Sequence, residues 1–241
     1  MIKVEQINKS FKDTKILHDI TFEIKKGEFV AVMGPSGSGK STLLYSISGM
    51  DSLSCGRVLF DGINISEMKE EELSRFRLNK MGFVFQNAQM LKNLSIFDNI
   101  MLPGLIAKKE AADDIRKRAS ELMKRMEIEG IKERDIREVS GGQLQRASIC
   151  RAMINNPEIL FMDEPTGALN SEATDQVLAI LEDLNRDGMT IMTVTHDTRV
   201  AAKARKVLYI KDGQIAACKE FQTDTDRERE LEEWLKRLSR G

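Results

Sequence analysis

The nine residues Gly34-Pro35-Ser36-Gly37-Ser38-Gly39-Lys40-Ser41-Thr42 have the types and spacing that could do phosphate chemistry. The first eight, Gly34 to Ser41, fit G-x-x-x-x-G-K-[ST] in full. The glycines let backbone N–H groups curl around phosphate oxygens with no Cβ in the way. Lys40 would bring a point charge to the β- and γ-phosphates of a nucleotide, and Ser41 a hydroxyl ligand for Mg²⁺. A helix is expected from Thr42 to Ser48, its positive N-terminus facing the anion. A Gly/Ser-rich turn could carry the same letters by chance. Placed between a buried strand and a helix, they read as a nucleotide site.

Asp163-Glu164 forms a second centre, at the C-terminal end of the apolar run Ile159–Met162, where ligands bind in open α/β sheets. Asp163 would hold Mg²⁺, and Glu164 would orient and deprotonate an attacking water. Alone, the pair reads equally well as a solvated strand end. Beside a phosphate loop it reads as a hydrolytic centre.

The elements that must position these groups follow from hydrophobic periodicity. Phe29–Met33 is continuously apolar, the mark of a parallel strand covered on both faces. Ile2, Val4 and Ile7, then Phe22 and Ile24, show the broken alternation of strands with one wet face. Val58–Phe60 and Ile63–Ile65 form two short strands around an Asp61-Gly62 turn. Helical spacing marks Glu110 to Ile128, through Ala111, Ile115, Ala119, Leu122 and Met126. A further helix is expected from Ser140 to Asn156-Pro157, where proline stops it. Ala173, Val177, Ile180, Leu181 and Leu184 mark another, ended at Gly188. Met189–Thr195 is a strand, and Val207–Ile210 with Ile215–Ala217 a hairpin on Asp212-Gly213. Strands at both ends and helices between suggest one α/β core with a helical insertion.

Composition narrows the function classes. The 241 residues carry 37 Lys+Arg against 38 Asp+Glu, a formal net charge of −1, which argues against a bulk nucleic-acid binder. No apolar run approaches the roughly 18 residues that span a bilayer, and Met1-Ile2-Lys3-Val4 does not open a secretion signal. Cys55, Cys150 and Cys218 are scattered without a Cys-x-x-Cys pair. Neither a disulfide framework nor a zinc site is expected, and a reducing cytosol is the natural compartment.

Ser140-Gly141-Gly142-Gln143, preceded by Val139 and opening a helix before the acidic strand, resembles the signature of ATP-binding cassette (ABC) ATPases. With the two centres above, the resemblance covers about residues 1 to 218 in the family's motif order. It implies an α/β P-loop NTPase cassette with a parallel core sheet, an antiparallel β subdomain and a helical subdomain inserted at about 87–156. It implies ATP and Mg²⁺ as cofactors, the metal held by Ser41, Gln86 and Asp163. Phe11 would stack on adenine, Gln86 in Phe83-Val84-Phe85-Gln86 would join core to insert, and His196 would sense the γ-phosphate. His18 matches nothing in the family and is expected to be structural. Physically, Ser140 and the N–H groups of Gly141 and Gly142 make another helix-terminal anion site. The resemblance implies that it caps the triphosphate of a second copy in a head-to-tail dimer. Three positions depart from the pattern: Phe11 stands where Tyr is commoner, Asn170 where Asp is usual, and Val139 where Leu is usual.

The same resemblance implies an integral membrane permease as separate partner, with the chain cytoplasmic and peripheral on the inner face of the membrane. Phe83–Gln86, Asn99-Ile100-Met101-Leu102-Pro103 and Asp163–Leu169 resemble the branch serving lipoprotein release, macrolide export and antimicrobial-peptide resistance. A division-signalling ATPase with a membrane partner that transports nothing is the alternative. The apolar residues from Met90 to Leu102 read equally as core or as a groove for a partner helix. The tail 219–241 carries a stripe of Leu231, Trp234, Leu235 and Leu238. It could dock on its own core, pair with its copy or touch the permease.

Overall fold

Alternation at the N-terminus produces β1 (Ile2–Phe11) and β2 (Thr14–Ile24), an antiparallel pair that buries Ile2, Val4, Ile7, Leu17 and Ile24. The computed structural model describes residues 1–222 and 226–238, which form two compact units. One joins Met1–Met68 to the part of the chain from Asn185 onward; the other is Lys69–Leu184.

In the first unit, β3 (Phe29–Met33) is buried along its whole length, as its unbroken apolar run requires. It leads through the glycine loop into α1 (Lys40–Ile47). This helix starts two residues earlier than expected, because Gly39 takes a left-handed conformation and hands over to helix at once. β4 (Cys55–Phe60) and β5 (Ile63–Asn64) complete a four-stranded sheet of order β2-β1-β4-β5, with antiparallel pairing throughout.

The second unit opens with α2 (Glu70–Lys80), a helix that periodicity did not reveal, since Leu73 is its sole buried residue. β6 (Met81–Phe85) follows, then α3 (Ile96–Ala107), α4 (Ala112–Arg125) and α5 (Gly141–Met153). The buried face of α4 is Ile115, Ala119 and Met123, with Met126 just beyond its end; Ala111 is exposed and Leu122 half-buried. α5 ends short of Asn156, which is left-handed at φ 50 ahead of Pro157. β7 (Ile159–Asp163) pairs in parallel with β6, and α6 (Ser171–Arg186) leads out of the unit.

Back in the first unit come β8 (Thr190–Val194), α7 (Thr198–Lys203), β9 (Lys206–Lys211), β10 (Gln214–Glu220) and α8 (Arg227–Leu238). β3 lies between β8 and β9, parallel to both, and β10 closes the edge antiparallel to β9. α8 docks on its own unit. Leu231 is fully buried, Trp234 meets Tyr209 edge-on at 6.2 Å, and Lys219 pairs with Glu230. Residues 223–225 and 239–241 of the tail lie outside the described residues. Among the described residues, no helix is long and apolar enough to cross a membrane.

Candidate active site

Each end of the phosphate loop is fixed by backbone that only glycine tolerates. Gly34 has φ 152, and a Cβ there would lie 2.0 Å from the carbonyl oxygen of Ile210. Gly39, at φ 96, caps α1 without a side-chain hydrogen bond. α1 also has no acidic residue in its first turn. By contrast α2 and α4, which lack side-chain caps too, carry Glu70, Glu71 and Glu72, and Asp113 and Asp114, in theirs. The positive end of α1 is therefore not offset by a side chain of its own first turn.

Pro35, Ser36 and Gly37 are exposed, and Ser41 and Thr42 are half-buried in the first turn of α1. Lys40 Nζ donates to the carbonyl oxygens of Gly34 at 3.0 Å and Pro35 at 2.8 Å, which holds the ammonium over the loop. Ser38 Oγ is buried with no hydrogen-bond partner among the described residues. Such an orphan costs free energy unless a ligand satisfies it.

The same unit places two other predicted residues. His196 is exposed at the end of β8, in a turn where Asp197 N–H donates to Thr195 Oγ1 at 3.0 Å. Asp197 in turn caps α7 by accepting from Arg199 N–H at 2.8 Å. Phe11 closes β1 with its ring half exposed. Lys9 Nζ sits 4.6 Å from the ring centroid, held by Asp51 Oδ1 and the Ser52 carbonyl oxygen, each at 2.6 Å. One face of the phenyl ring is thereby backed by a buried cation. Lys9 was not legible in the sequence, because its partners lie 42 and 43 residues away. His18 is half-buried on β2, where its backbone N–H donates to Gly213 O at 2.9 Å.

The second unit brings its candidate residues together at the C-terminal ends of two parallel strands. Phe85 stands opposite Asp163 in the β6–β7 register, so Gln86 and Glu164 leave their strands side by side. Glu164 has φ 48, and its carbonyl accepts from Gly167 N–H at 3.1 Å, bending the chain sharply after the strand. Gln86 lies so near this bend that a Cβ on Gly167 would meet its Nε2 at 2.9 Å. α5 anchors the segment that follows Gln86. Gln145 Nε2 donates to Phe85 O at 3.3 Å, and Arg151 donates to Ala88 O at 2.6 Å and Gln89 O at 2.9 Å. Burial pulls the Arg151 guanidinium below its usual pKa. Arg151 and Gln145 were missed by sequence reasoning, because their carbonyl partners lie 60 to 63 residues away.

Ser140 is the N-cap of α5. Its Oγ accepts from Gln143 N–H at 3.2 Å, while Gln143 Oε1 accepts from Ser140 N–H at 2.9 Å, a reciprocal capping box. The Ser140 hydroxyl hydrogen remains a donor toward solvent, and α5 has no acidic residue in its first turn. Gly141 is exposed. Gly142 is buried, and a Cβ there would lie 2.7 Å from Ala173 Cβ. Asn170 caps α6 by accepting from Ala173 N–H at 2.9 Å, a bond that the usual Asp would also make. Among the described residues, no group of three or more His, Cys, Asp or Glu could hold a metal ion.

Residues 17–167 match the family model described as ABC transporter. The chain belongs to the ABC transporter family. This ABC ATPase is 45% identical over 219 residues to a macrolide export ATP-binding/permease protein, MacB, of Campylobacter fetus, covering 89% of the chain and 34% of that protein. The chain thus spans about a third of the length of that relative. It is 41% identical over 222 residues to the bacitracin export ATP-binding protein BceA of Halalkalibacterium halodurans, covering 89% of the chain and 87% of that protein. The ATP-binding cassette MJ0796 of Methanocaldococcus jannaschii, solved as a post-hydrolysis dimer bound to ADP and Pi, superposes with a TM-score of 0.86 at 37% identity. That match covers 93% of this chain and all of the other. As an ABC ATPase the chain binds ATP, and its cassette fold is that of the solved relative.

Proposed function

We propose that this ABC ATPase is the energy-supplying subunit of an exporter, working as a head-to-tail pair of chains that drives a separate integral membrane permease. The uncapped, acid-free N-terminus of α1 behind a glycine cradle is the observation that carries the nucleotide role. The buried Ser38 hydroxyl without a partner among the described residues fits the same ligand, since a phosphate oxygen would satisfy it. Gly34, Pro35, Ser36, Gly37, Ser38 and Gly39 would wrap the phosphates, and Lys40 would exchange the Gly34 and Pro35 carbonyls for phosphate oxygens. Phe11, backed by Lys9, would stack on the adenine with its free face.

Ser41, Gln86 and Asp163 offer the hard oxygen donors that Mg²⁺ takes, and would hold it. Bound there, the ion neutralises charge on the phosphates. Glu164 would orient the attacking water and accept its proton, and His196 would hydrogen-bond the γ-phosphate. Ser140, Gly141, Gly142 and Gln143 would cap the nucleotide of the second chain. The dimeric relative bound to ADP and Pi supports a working pair of chains.

A shallow, mostly apolar groove of about 310 Å³ supports a permease contact. Gln86, Met90, Ile136, Leu144, Gln145 and Leu169 are among the residues that line it. We assign it to a cytoplasmic helix of the permease, because relatives named as ATP-binding/permease proteins carry both parts. Occupying it would press on the segment that follows Gln86 and so reach the hydrolytic residues. On this reading the chain would work at the inner face of the cell membrane. The bacitracin and macrolide export relatives support an antimicrobial peptide or macrolide as cargo.

The test is co-expression with a candidate permease and measurement of ATPase activity in detergent or nanodiscs. The expected result is a stable complex whose turnover rises with bacitracin or a macrolide. A complex whose turnover no such compound changes would favour a signalling role over export.

A further inference from the structure

Away from the nucleotide site, Lys25, Lys26, Lys203, Arg205 and Arg227 converge on one cleft of the first unit, about 350 Å³ in volume. The cleft lies at Phe29, the N-terminal end of β3, whereas the phosphate loop follows Met33 at the other end. Five residues at ~3.3 Å each put about 17 Å of strand between them. Its floor is fixed: Asn185 Nδ2 donates to Gly27 O at 3.0 Å and to Met189 O at 2.8 Å.

The carboxylates in the lining are already engaged. Glu28 lies 2.8 Å from the buried ammonium of Lys206 and accepts from Lys25 N–H at 2.8 Å. Glu220 lies 3.7 Å from the same ammonium. Lys25, Lys26, Arg205 and Arg227 make no ion pair among the described residues. In a chain of net charge −1, four like charges left together repel one another and are balanced best by an incoming anion. Guanidinium forks from Arg205 and Arg227 suit phosphate in particular. The volume falls within the roughly 300–1,000 Å³ of small-molecule sites.

We propose that this cleft is a second anion site, taking a phosphate-bearing ligand. Arg227 is the first residue of α8, and Lys203 the last of α7. A ligand bound between them ties the C-terminal helix to the cassette, so its occupancy would be felt by whatever α8 touches.

Free and lipid-borne phosphate are separated by two probes. Pyrophosphate is titrated calorimetrically into the full chain saturated with ADP, and the same protein is sedimented with phosphatidylglycerol or phosphatidylcholine vesicles. Binding of pyrophosphate, or of the phosphatidylglycerol vesicles alone, is expected. The exposed pair Lys26→Ser/Arg205→Ser should weaken it at least tenfold, with ADP affinity and Tm unchanged. Lys26→Glu alone should weaken it in the same direction. Binding of neither probe, or equal binding by parent and variants, would overturn the proposal.

Discussion

Gly141 and Gly142 open the same helix, yet one added methyl should affect them in opposite ways. At Gly142 the new Cβ would lie 2.7 Å from Ala173 Cβ, closer than two carbons can sit, so α5 and α6 must part. Overpacking of this kind costs about 1–3 kcal/mol, offset by the ~0.5–1 kcal/mol that alanine gains over glycine in a helix. Gly142→Ala should therefore lose about 1 kcal/mol net, a Tm lower by roughly 2–4 °C for a chain of this size. At Gly141 the nearest side-chain atom would be Leu169 Cδ2 at 3.7 Å, an ordinary contact. Gly141→Ala should keep or slightly raise Tm. It should still lower ATPase activity at least tenfold, because the methyl sits at the exposed helix end assigned to the second chain's nucleotide. Differential scanning calorimetry and steady-state turnover on the two variants decide the matter. A Gly142→Ala protein as stable as the parent, or a Gly141→Ala protein with full turnover, would refute the reasoning.

Three further outcomes follow. Lys9→Met removes a cation whose side chain is 6% exposed while Asp51, at 32%, can still reach water. We expect a stability loss of about 1–3 kcal/mol, below the 3–5 of a fully buried pair. We also expect a raised KM for ATP with kcat retained, whereas Phe11→Ala should raise KM without the stability loss; chemical denaturation and kinetics report both. Asn170→Ala should cost about 1 kcal/mol as a lost N-cap, while Asn170→Asp keeps the cap and adds favourable charge at the helix N-terminus, again read by denaturation. Asp135 is held down to a pKa of about 2, chiefly by its side-chain hydrogen bonds to Arg137. Its folded value lies below the unfolded one, so the stability it contributes is complete above about pH 4 and lost as pH falls through 2. An NMR titration of the carboxyl carbon should show a midpoint near 2 that Arg137→Ala moves up toward 4.

Local patterns were legible in the sequence, and what depends on distance was not. The phosphate loop was legible letter by letter, because its glycines and lysine act through the backbone conformation of one short segment. The buried strands β3, β7 and β8 were legible because burial on both faces leaves unbroken apolar runs. α2 was not, since a helix burying Leu73 alone carries no stripe. α3 was hidden by Pro103 in its interior, which periodicity rules treat as a stop. The sequence pattern suggests Gly142 for an anion site; the structure adds that its missing side chain lets two helices touch. Lys9 and Arg151 act through partners tens of residues away, and no window of sequence reports such pairs.

In the proposed mechanism Glu164 removes the proton from the attacking water, in a dimer held by two bound nucleotides. Size-exclusion chromatography with light scattering of Glu164→Gln in the presence of ATP tests it most directly. A stable dimer retaining two ATP molecules is expected, with turnover reduced at least a hundredfold. A monomer that hydrolyses ATP at the parent rate would contradict it.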